Sequence, residues 1–467
     1  MYQMNFEKPQ AVHFIGIGGI SMSGLAEILM KEGFSVSGSD AHESPLTKIL
    51  EEKGAVVYIG QRAENITDKV EVVVYTAAIH PDNPEYAEAV RRGLPLLSRA
   101  ELLGQIMKNY DQAIAIAGTH GKTTTTSMVS EVCMRAGLDP TITVGGMLHS
   151  IGGNIRIGSS ACFIAEACEY TNSFLSFFPS IAVILNIRED HLDFFKDLDD
   201  IRASFRRFAS LVPEKGLVVI GGEIDNWQGI VEGLPSQVVT FGFVNEEKGR
   251  QPGAFTYMAD HVELLGEGGS RFEVWKKGEL LGTFRLHVPG IHNVSNALAA
   301  IAVTDYLGVP VKEIAEGLSG YTGVERRFEK KGEKNGVAIY DDYAHHPDEI
   351  EATLRMANQV KKGTLWCVFQ PHTYSRTKAL LPEFAEALSL ADEVILADIY
   401  AARETDTLGV SSEDIMRILK EKGKSARFLP TFPEIEKFIE EHARQNDMLI
   451  TMGAGDVVKV GENLLAR

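Results

Sequence analysis

Cysteine is scarce in this chain: four in 467 residues, Cys133, Cys162, Cys168 and Cys367, with no C-x-x-C pair and no His-rich neighbourhood. That spacing argues against a zinc site or a disulfide framework, and it fits reduced thiols in cytoplasm. Positive charge is also short, with 46 Lys and Arg against 64 Asp and Glu, a formal net charge of −18. A surface of that sign excludes nucleic acid or an anionic membrane as the main partner. It leaves room for anionic small molecules, because a few Gly, Lys and Arg groups bind a phosphate on an acidic protein. No apolar stretch approaches the roughly twenty residues needed to cross a bilayer. Met1 to Gln10 is polar and carries Glu7 and Lys8, so a signal peptide is not expected. A cytoplasmic protein that touches neither membrane nor nucleic acid is the expectation.

What is present is alternation. The length suggests about three domains. In the first segment A-V-H-F-I-G-I-G-G (11–19) reads as a buried strand entering a glycine turn, followed by a helical pattern to Gly33. F-S-V-S-G-S-D (34–40) is the next strand, and others follow at 55–59 and 70–76. A new buried strand, A-I-A-I-A (113–117), opens a second segment with strands near 162–165 and 181–186 and a helix from about 199 to 211. R-F-E-V-W-K-K-G-E-L-L-G-T-F-R-L (271–286) alternates around K-G as a hairpin does, and an Ala-rich helix follows at 292–302. The charged run E-R-R-F-E-K-K-G (325–332) marks a third segment, with strands at 337–340, 364–369, 393–397 and 447–451 and helices at 347–358 and 379–388. The expected fold is α/β in three domains. They are an N-terminal Rossmann-like parallel sheet (1–109), a central P-loop-type ATPase domain (110–322) and a C-terminal Rossmann-like domain (323–467).

Two glycine turns carry chemistry. Gly16, Gly18 and Gly19 lie between a strand and a helix, where glycine lets backbone amides approach a diphosphate. Asp40 closes the second strand, near where a dinucleotide fold places its ribose-binding acid. The third glycine position of G-x-G-x-x-G is Ser21, so the turn points to a nucleotide diphosphate without saying which; a tight turn binding nothing is the alternative. The second turn, A-G-T-H-G-K-T-T-T-T (117–126), is stronger evidence. It is a short phosphate loop: Gly118, Thr119, His120 and Gly121 wrap phosphates, and Lys122 brings a point charge to the β- and γ-phosphates. Thr123 offers a hydroxyl to Mg²⁺ and Thr124 continues the motif. A run of four threonines at a helix start has little other reason to exist. Glu166 ends a strand and Asn186, Asp190 and His191 follow another, where ligands gather in doubly wound sheets. Each acid is alternatively a helix cap, and His191 a buried hydrogen-bonding residue.

Together these segments resemble the Mur ligase family over nearly the whole chain. The likeness rests on H-F-I-G-I-G-G, G-S-D, A-G-T-H-G-K-T-T-T-T, N-I-R-E-D-H-L-D, P-G-I-H-N-V-S-N-A, G-V-E-R-R-F-E, D-D-Y-A-H-H-P and F-Q-P-H-T-Y-S-R-T. The resemblance implies ATP and Mg²⁺ as cofactors, UDP-N-acetylmuramate and L-alanine as substrates, an acyl-phosphate intermediate, and a monomer or weak homodimer. It implies that the UDP lies along Gly16 to Gly24 with Asp40 nearby, and that ATP lies on Gly118 to Thr124 with Asn293 toward the adenine. Glu166 and His191 would join Thr123 around Mg²⁺, Arg327 would meet the transferred phosphate, and Asp341 would approach the ribose. Tyr343, His345 and Arg376 would form the amino-acid site. Three positions depart from the family pattern. Residues 200–206 hold no lysine where several members carry a carbamoylated one, Cys168 replaces an aspartate, and Thr373 replaces a second arginine. A dehydrogenase built on the first turn would leave the second loop unexplained, and a catalytically dead paralogue would have no use for Lys122, Glu166, His191 and Arg376.

Overall fold

A computed structural model describes residues 2–467 other than 77, 192, 193, 403, 406 and 407. Two residues of the N-I-R-E-D-H-L-D motif, Leu192 and Asp193, therefore lie outside the described residues. The chain forms two compact units. One comprises Met1–Arg188, Leu198–Phe241 and Ala299–Ile314; the other comprises Glu189–Asp197, Gly242–Leu298 and Ala315–Arg467.

The first unit holds one parallel sheet and a second that is parallel except for an antiparallel edge strand, Gly153–Arg156. Strands β1 (Ala11–Ile15), β2 (Ser35–Asp40), β3 (Val56–Ile59), β4 (Val72–Tyr75) and β5 (Leu96–Ser98) pair in the order β3-β2-β1-β4-β5, all parallel. Order reverses between β1 and β4, the switch point where doubly wound sheets bind ligands. Helix α1 (Ile20–Lys31) leaves that point, and α2 (Pro45–Glu52), α3 (Pro84–Arg92) and α4 (Arg99–Met107) complete the layers. Each of the last three has a local start signal: capping boxes at Ser44 and Ser98, and Asn83 before Pro84.

The second sheet is built on β6 (Gln112–Ala117), which runs straight into helix α5 (Lys122–Arg135). β6 reads as a continuous apolar run because parallel neighbours and covered faces surround it, and Ala113 to Ala117 are all buried. It lies between β9 (Cys162–Glu166) and β10 (Ile181–Ile184). β7 (Thr141–Leu148) and β8 (Gly153–Arg156) extend the sheet beyond β9, and β11 (Leu217–Gly221) and β12 (Gln237–Phe243) extend it beyond β10. β10 stops at Ile184, two residues before the expected end, because Asn186 turns away to bond the phosphate loop.

In the second unit β13 (Tyr257–Leu264), β14 (Ser270–Lys276) and β15 (Glu279–Leu286) form an antiparallel meander, which includes the expected hairpin. The third sheet runs β16-β17-β21-β18-β19-β20, from β16 (Glu329–Lys334), β17 (Val337–Asp342), β18 (Leu365–Phe369), β19 (Glu393–Leu396), β20 (Ser425–Phe428) and β21 (Met448–Met452). It is parallel except for the antiparallel edge strand β16. The second half of the E-R-R-F-E-K-K-G run read as a boundary, Glu329 to Gly332, lies in this edge strand; charged side chains suit an edge whose outer face meets water. The helix expected at 379–388 is two, Tyr374–Ala379 and Leu381–Leu388, because Pro382 begins the second and cannot continue the first. Among the described residues no helix is long and apolar enough to cross a membrane.

Candidate active site

The phosphate loop is held open from beneath. Gly118 sits at φ +145°, and a Cβ there would stand 2.9 Å from Leu185 Cβ, so the close approach to β10 requires glycine. Asn186 ties the loop twice: its Oδ1 accepts from the His120 amide at 2.8 Å and its Nδ2 donates to the His120 carbonyl at 3.0 Å. The Arg188 amide donates to Thr119 Oγ1 at 2.9 Å. Lys122 Nζ reaches Gly118 O at 2.6 Å, Thr119 O at 3.1 Å, and the Glu169 carboxylate oxygens at 3.1 and 3.0 Å. Burial works against the ammonium, but the carboxylates of Glu169 and Glu166 outweigh it and hold the Lys122 pKa above its ordinary value. Burial in turn pushes the Cys168 thiol up, so it is neutral.

Thr123 Oγ1 donates to Glu166 Oε2 at 2.9 Å, and the Gly145 amide, brought by β7, donates to the same oxygen at 2.8 Å. The two oxygens thus lie side by side at the start of α5. The donor set, a hydroxyl and a carboxylate, suits a hard cation. His191 belongs to the second unit, beside Asp190.

The first glycine turn differs from expectation in how its amides are used. Gly16 N and Ile17 N both donate to Ser39 O, at 2.8 and 2.9 Å, and Gly18 N donates to Asp40 Oδ2 at 2.9 Å. The end of β2 therefore holds the turn, and Asp40 is its clamp; a Cβ on Gly18 would stand 2.8 Å from Asp40 Oδ2. The amides at the start of α1, at Ile20, Ser21 and Met22, have no intrahelical acceptor, an arrangement that suits an anion. Ser21 also receives Arg99 Nη1 on its hydroxyl at 3.1 Å, placing a cation at the same helix start. Beneath the turn, Ser39 Oγ donates to Glu85 Oε2 at 2.5 Å and Asn65 Nδ2 donates to Glu85 Oε1 at 2.5 Å. His13 Nε2 lies 3.6 Å from Glu85, and both side chains are fully buried.

In the second unit Arg376 links two groups: its Nη2 donates to Asp190 Oδ1 at 3.3 Å and its Nη1 meets His372 Nδ1 at 3.3 Å. Burial opposes ionisation of Asp190, yet His191, Arg376 and His346 outweigh it and keep the carboxyl well below its usual range. His345 Nδ1 lies 3.1 Å from Tyr343 O, its ring meets His372 edge to face, and His372 stacks on Tyr400. Burial pushes both imidazoles down, each to about 4. Thr373 stands at φ +68° at the start of the helix that carries Arg376, a strained position for a β-branched residue. Tyr343 lies beneath both arginines of R-R-F-E, Arg326 at 4.9 Å and Arg327 at 5.5 Å from its ring centre. Arg327 Nη1 also lies 3.7 Å from Glu349.

Asp341 is buried, with one oxygen accepting from Arg326 Nε at 2.8 Å and the other from Thr451 at 2.6 Å. Its neighbour Asp342, pushed up to about 6 by burial, accepts from the Phe328 and Ala344 amides at 2.9 and 2.8 Å. Asn293 bonds its own neighbourhood, Nδ2 to Pro289 O at 2.7 Å and Oδ1 from Asn296 at 3.2 Å. The structure thus groups Lys122, Thr123 and Glu166 in one unit and Tyr343, His345 and Arg376 in the other. Sequence reasoning passed over Glu169, Gly145, Glu85, Arg326 and His372. The E-A-C-E spacing was the available sign for Glu169, and the H in Q-P-H-T-Y for His372.

Comparison with known proteins adds a separate line of evidence. Three profiles match in order: "Mur ligase family, catalytic domain" over residues 11–111, "Mur ligase middle domain" over 116–304, and "Mur ligase, glutamate ligase domain" over 326–455. A relative from Agathobacter rectalis named UDP-N-acetylmuramate–L-alanine ligase is 56% identical over 467 residues, covering 100% of both chains. One of the same name from Lachnospira eligens is 56% identical over 465 residues, again with 100% of both covered. Among solved structures, a UDP-N-acetylmuramate-alanine ligase from Thermotoga maritima aligns with a TM-score of 0.79 at 32% identity, covering 98% of each chain. A murein peptide ligase from Psychrobacter arcticus aligns at 0.70 and 25% identity, with 98% of each covered. With its glycine turns, its sheets and these matches along its whole length, the chain belongs to the Mur ligase family.

Proposed function

We propose that this chain is an ATP-dependent ligase that joins L-alanine to the lactyl carboxylate of UDP-N-acetylmuramate in peptidoglycan precursor synthesis. The observation that carries this reading is the end-to-end 56% identity to relatives of that name. A phosphate loop whose lysine, threonine and carboxylate are already grouped supports it. A carboxylate is a poor electrophile toward an amine, so it is first activated as an acyl phosphate: the lactyl carboxylate attacks the γ-phosphate in line and ADP leaves. Lys122 neutralises charge on the transferred group, and Arg327 is the second cation assigned to it. Thr123, Glu166 and His191 would hold Mg²⁺, which when bound supplies further charge neutralisation at the phosphates. The amine of alanine then attacks the acyl carbon, and inorganic phosphate leaves from the tetrahedral intermediate. Arg376 suits the alanine carboxylate, with Tyr343 and His345 beside it. The first turn, through the start of α1, suits the UDP diphosphate, and Asn293 and Asp341 are assigned to the adenosine.

The test is phosphate release in the presence of ATP, Mg²⁺ and UDP-N-acetylmuramate, with each amino acid supplied in turn. Release is expected to require the UDP-sugar and to be fastest with L-alanine. Release indifferent to both would refute the ligase reading.

A further inference from the structure

The Lys122 ammonium has three N–H donors and four acceptors within 3.1 Å: Gly118 O, Thr119 O and both oxygens of Glu169. Protein groups alone saturate it. The two carbonyls belong to its own loop, three and four residues back, and move with it. Glu169 does not: it follows β9, on a separate segment, and its side chain is only 4% exposed. Both of its oxygens are spent on Lys122. A buried carboxylate gripping a phosphate-loop lysine with two oxygens presents the same chemistry as a terminal phosphate. Asp or Glu at a helix cap or on the surface would hold no such position.

We propose that Glu169 is a positioning residue that presents Lys122 with the same chemistry as the terminal phosphate and competes with ATP for it. This rests on the reading of the loop as the ATP site. Binding of ATP exchanges one anion for another on Lys122 and leaves the Glu169 carboxylate without its partner. The carboxylate therefore weakens affinity for the triphosphate. ADP brings only its β-phosphate to Lys122 and lacks the γ-phosphate oxygens, so it is affected less.

The experiment is titration calorimetry of ATP and ADP, with Mg²⁺ present, on the full chain and on Glu169→Gln. Gln retains a carbonyl for Lys122 but replaces a charge-assisted bond with a neutral one, so ATP is expected to bind about tenfold tighter. ADP should tighten by clearly less. Glu169→Asp, which keeps the charge but shortens the side chain, should fall between the two and carries the test if Glu169→Gln does not fold. The tightening should vanish in a Lys122→Gln background. ATP binding unchanged or weakened in both Glu169 variants would overturn the proposal, because a merely structural role predicts weakening. Tightening that persists without Lys122 would also overturn it, assigning the effect to through-space repulsion. Failure of the unaltered chain to bind ATP would instead remove the ATP-site reading itself.

Discussion

At the scale of single residues, the two histidines of the amino-acid region have opposite tautomers fixed by their partners. His345 Nδ1 faces the Tyr343 carbonyl at 3.1 Å and the Glu349 carboxylate at 3.4 Å, both acceptor-only groups, so Nδ1 carries the hydrogen and Nε2 the lone pair. His372 Nδ1 faces an arginine N–H, which can only donate, so its Nδ1 carries the lone pair. Both rings are neutral, as their lowered pKa values require. His345 is thereby a neutral imidazole whose Nε2 can accept a hydrogen bond. Its cost appears in stability. An unfolded imidazole titrates near 6.5, whereas folded His345 titrates at about 4, so in between the unfolded chain binds the extra proton and acid favours unfolding. Between pH 7 and 5 the stability lost through this one group is roughly 2 kcal/mol. Urea unfolding of His345→Asn should lose that much less than the unaltered chain over the same range; parallel losses would show that His345 is protonated in the fold. His345 was legible in D-D-Y-A-H-H-P, but its tautomer was not. The carbonyl and carboxylate that set it come from backbone curvature and from Glu349 one helical turn away, and no spacing in the sequence reports which ring edge they meet.

At the scale of elements, the sequence discloses strands better than it discloses what strand ends do. β1, β2, α1 and the turn between them were readable from apolar runs broken by glycine. The use of the turn was not: three of its amides are already bonded to Ser39 and Asp40, so the glycines serve close packing onto β2 and leave the anion to α1. Non-local bonding of this kind depends on register, here Ile15 beside Ser39, which a single sequence does not encode visibly. Below Ser39 the buried carboxylate of Glu85 is the anchor. Burial disfavours its charge, but the neighbouring His13 imidazole and the bonds from Ser39 and Asn65 outweigh that and keep its pKa low. Glu85→Gln keeps the shape and removes the charge, loosening Ser39 and through it the turn. The expected result is a KM for UDP-N-acetylmuramate raised by roughly tenfold, the loss of one charge-assisted bond, with kcat near that of the unaltered chain. A fall in kcat with KM unchanged would show that the network serves something other than the first turn.

At the scale of the whole molecule, two nucleotides are assigned to two glycine turns on two different sheets, so their binding should separate. Among the described residues the partners of Lys122, namely Gly118, Thr119 and Glu169, all follow strands of the sheet built around β6, and none belongs to the sheet of β1. Lys122→Ala removes the cation from the transferred phosphate and should abolish turnover. It also strands the Glu169 carboxylate, at a stability cost of about 3 kcal/mol, so the variant must first be shown folded. What it should not touch is the first turn, clamped by Asp40 and anchored through Ser39 to Glu85. Calorimetric affinity for UDP-N-acetylmuramate is therefore expected to stay within roughly twofold, as for distant sites with no shared partners. If affinity for the UDP-sugar collapses with turnover in a folded Lys122→Ala protein, the two turns serve one ligand rather than two, and the assignment of the first to UDP fails with it.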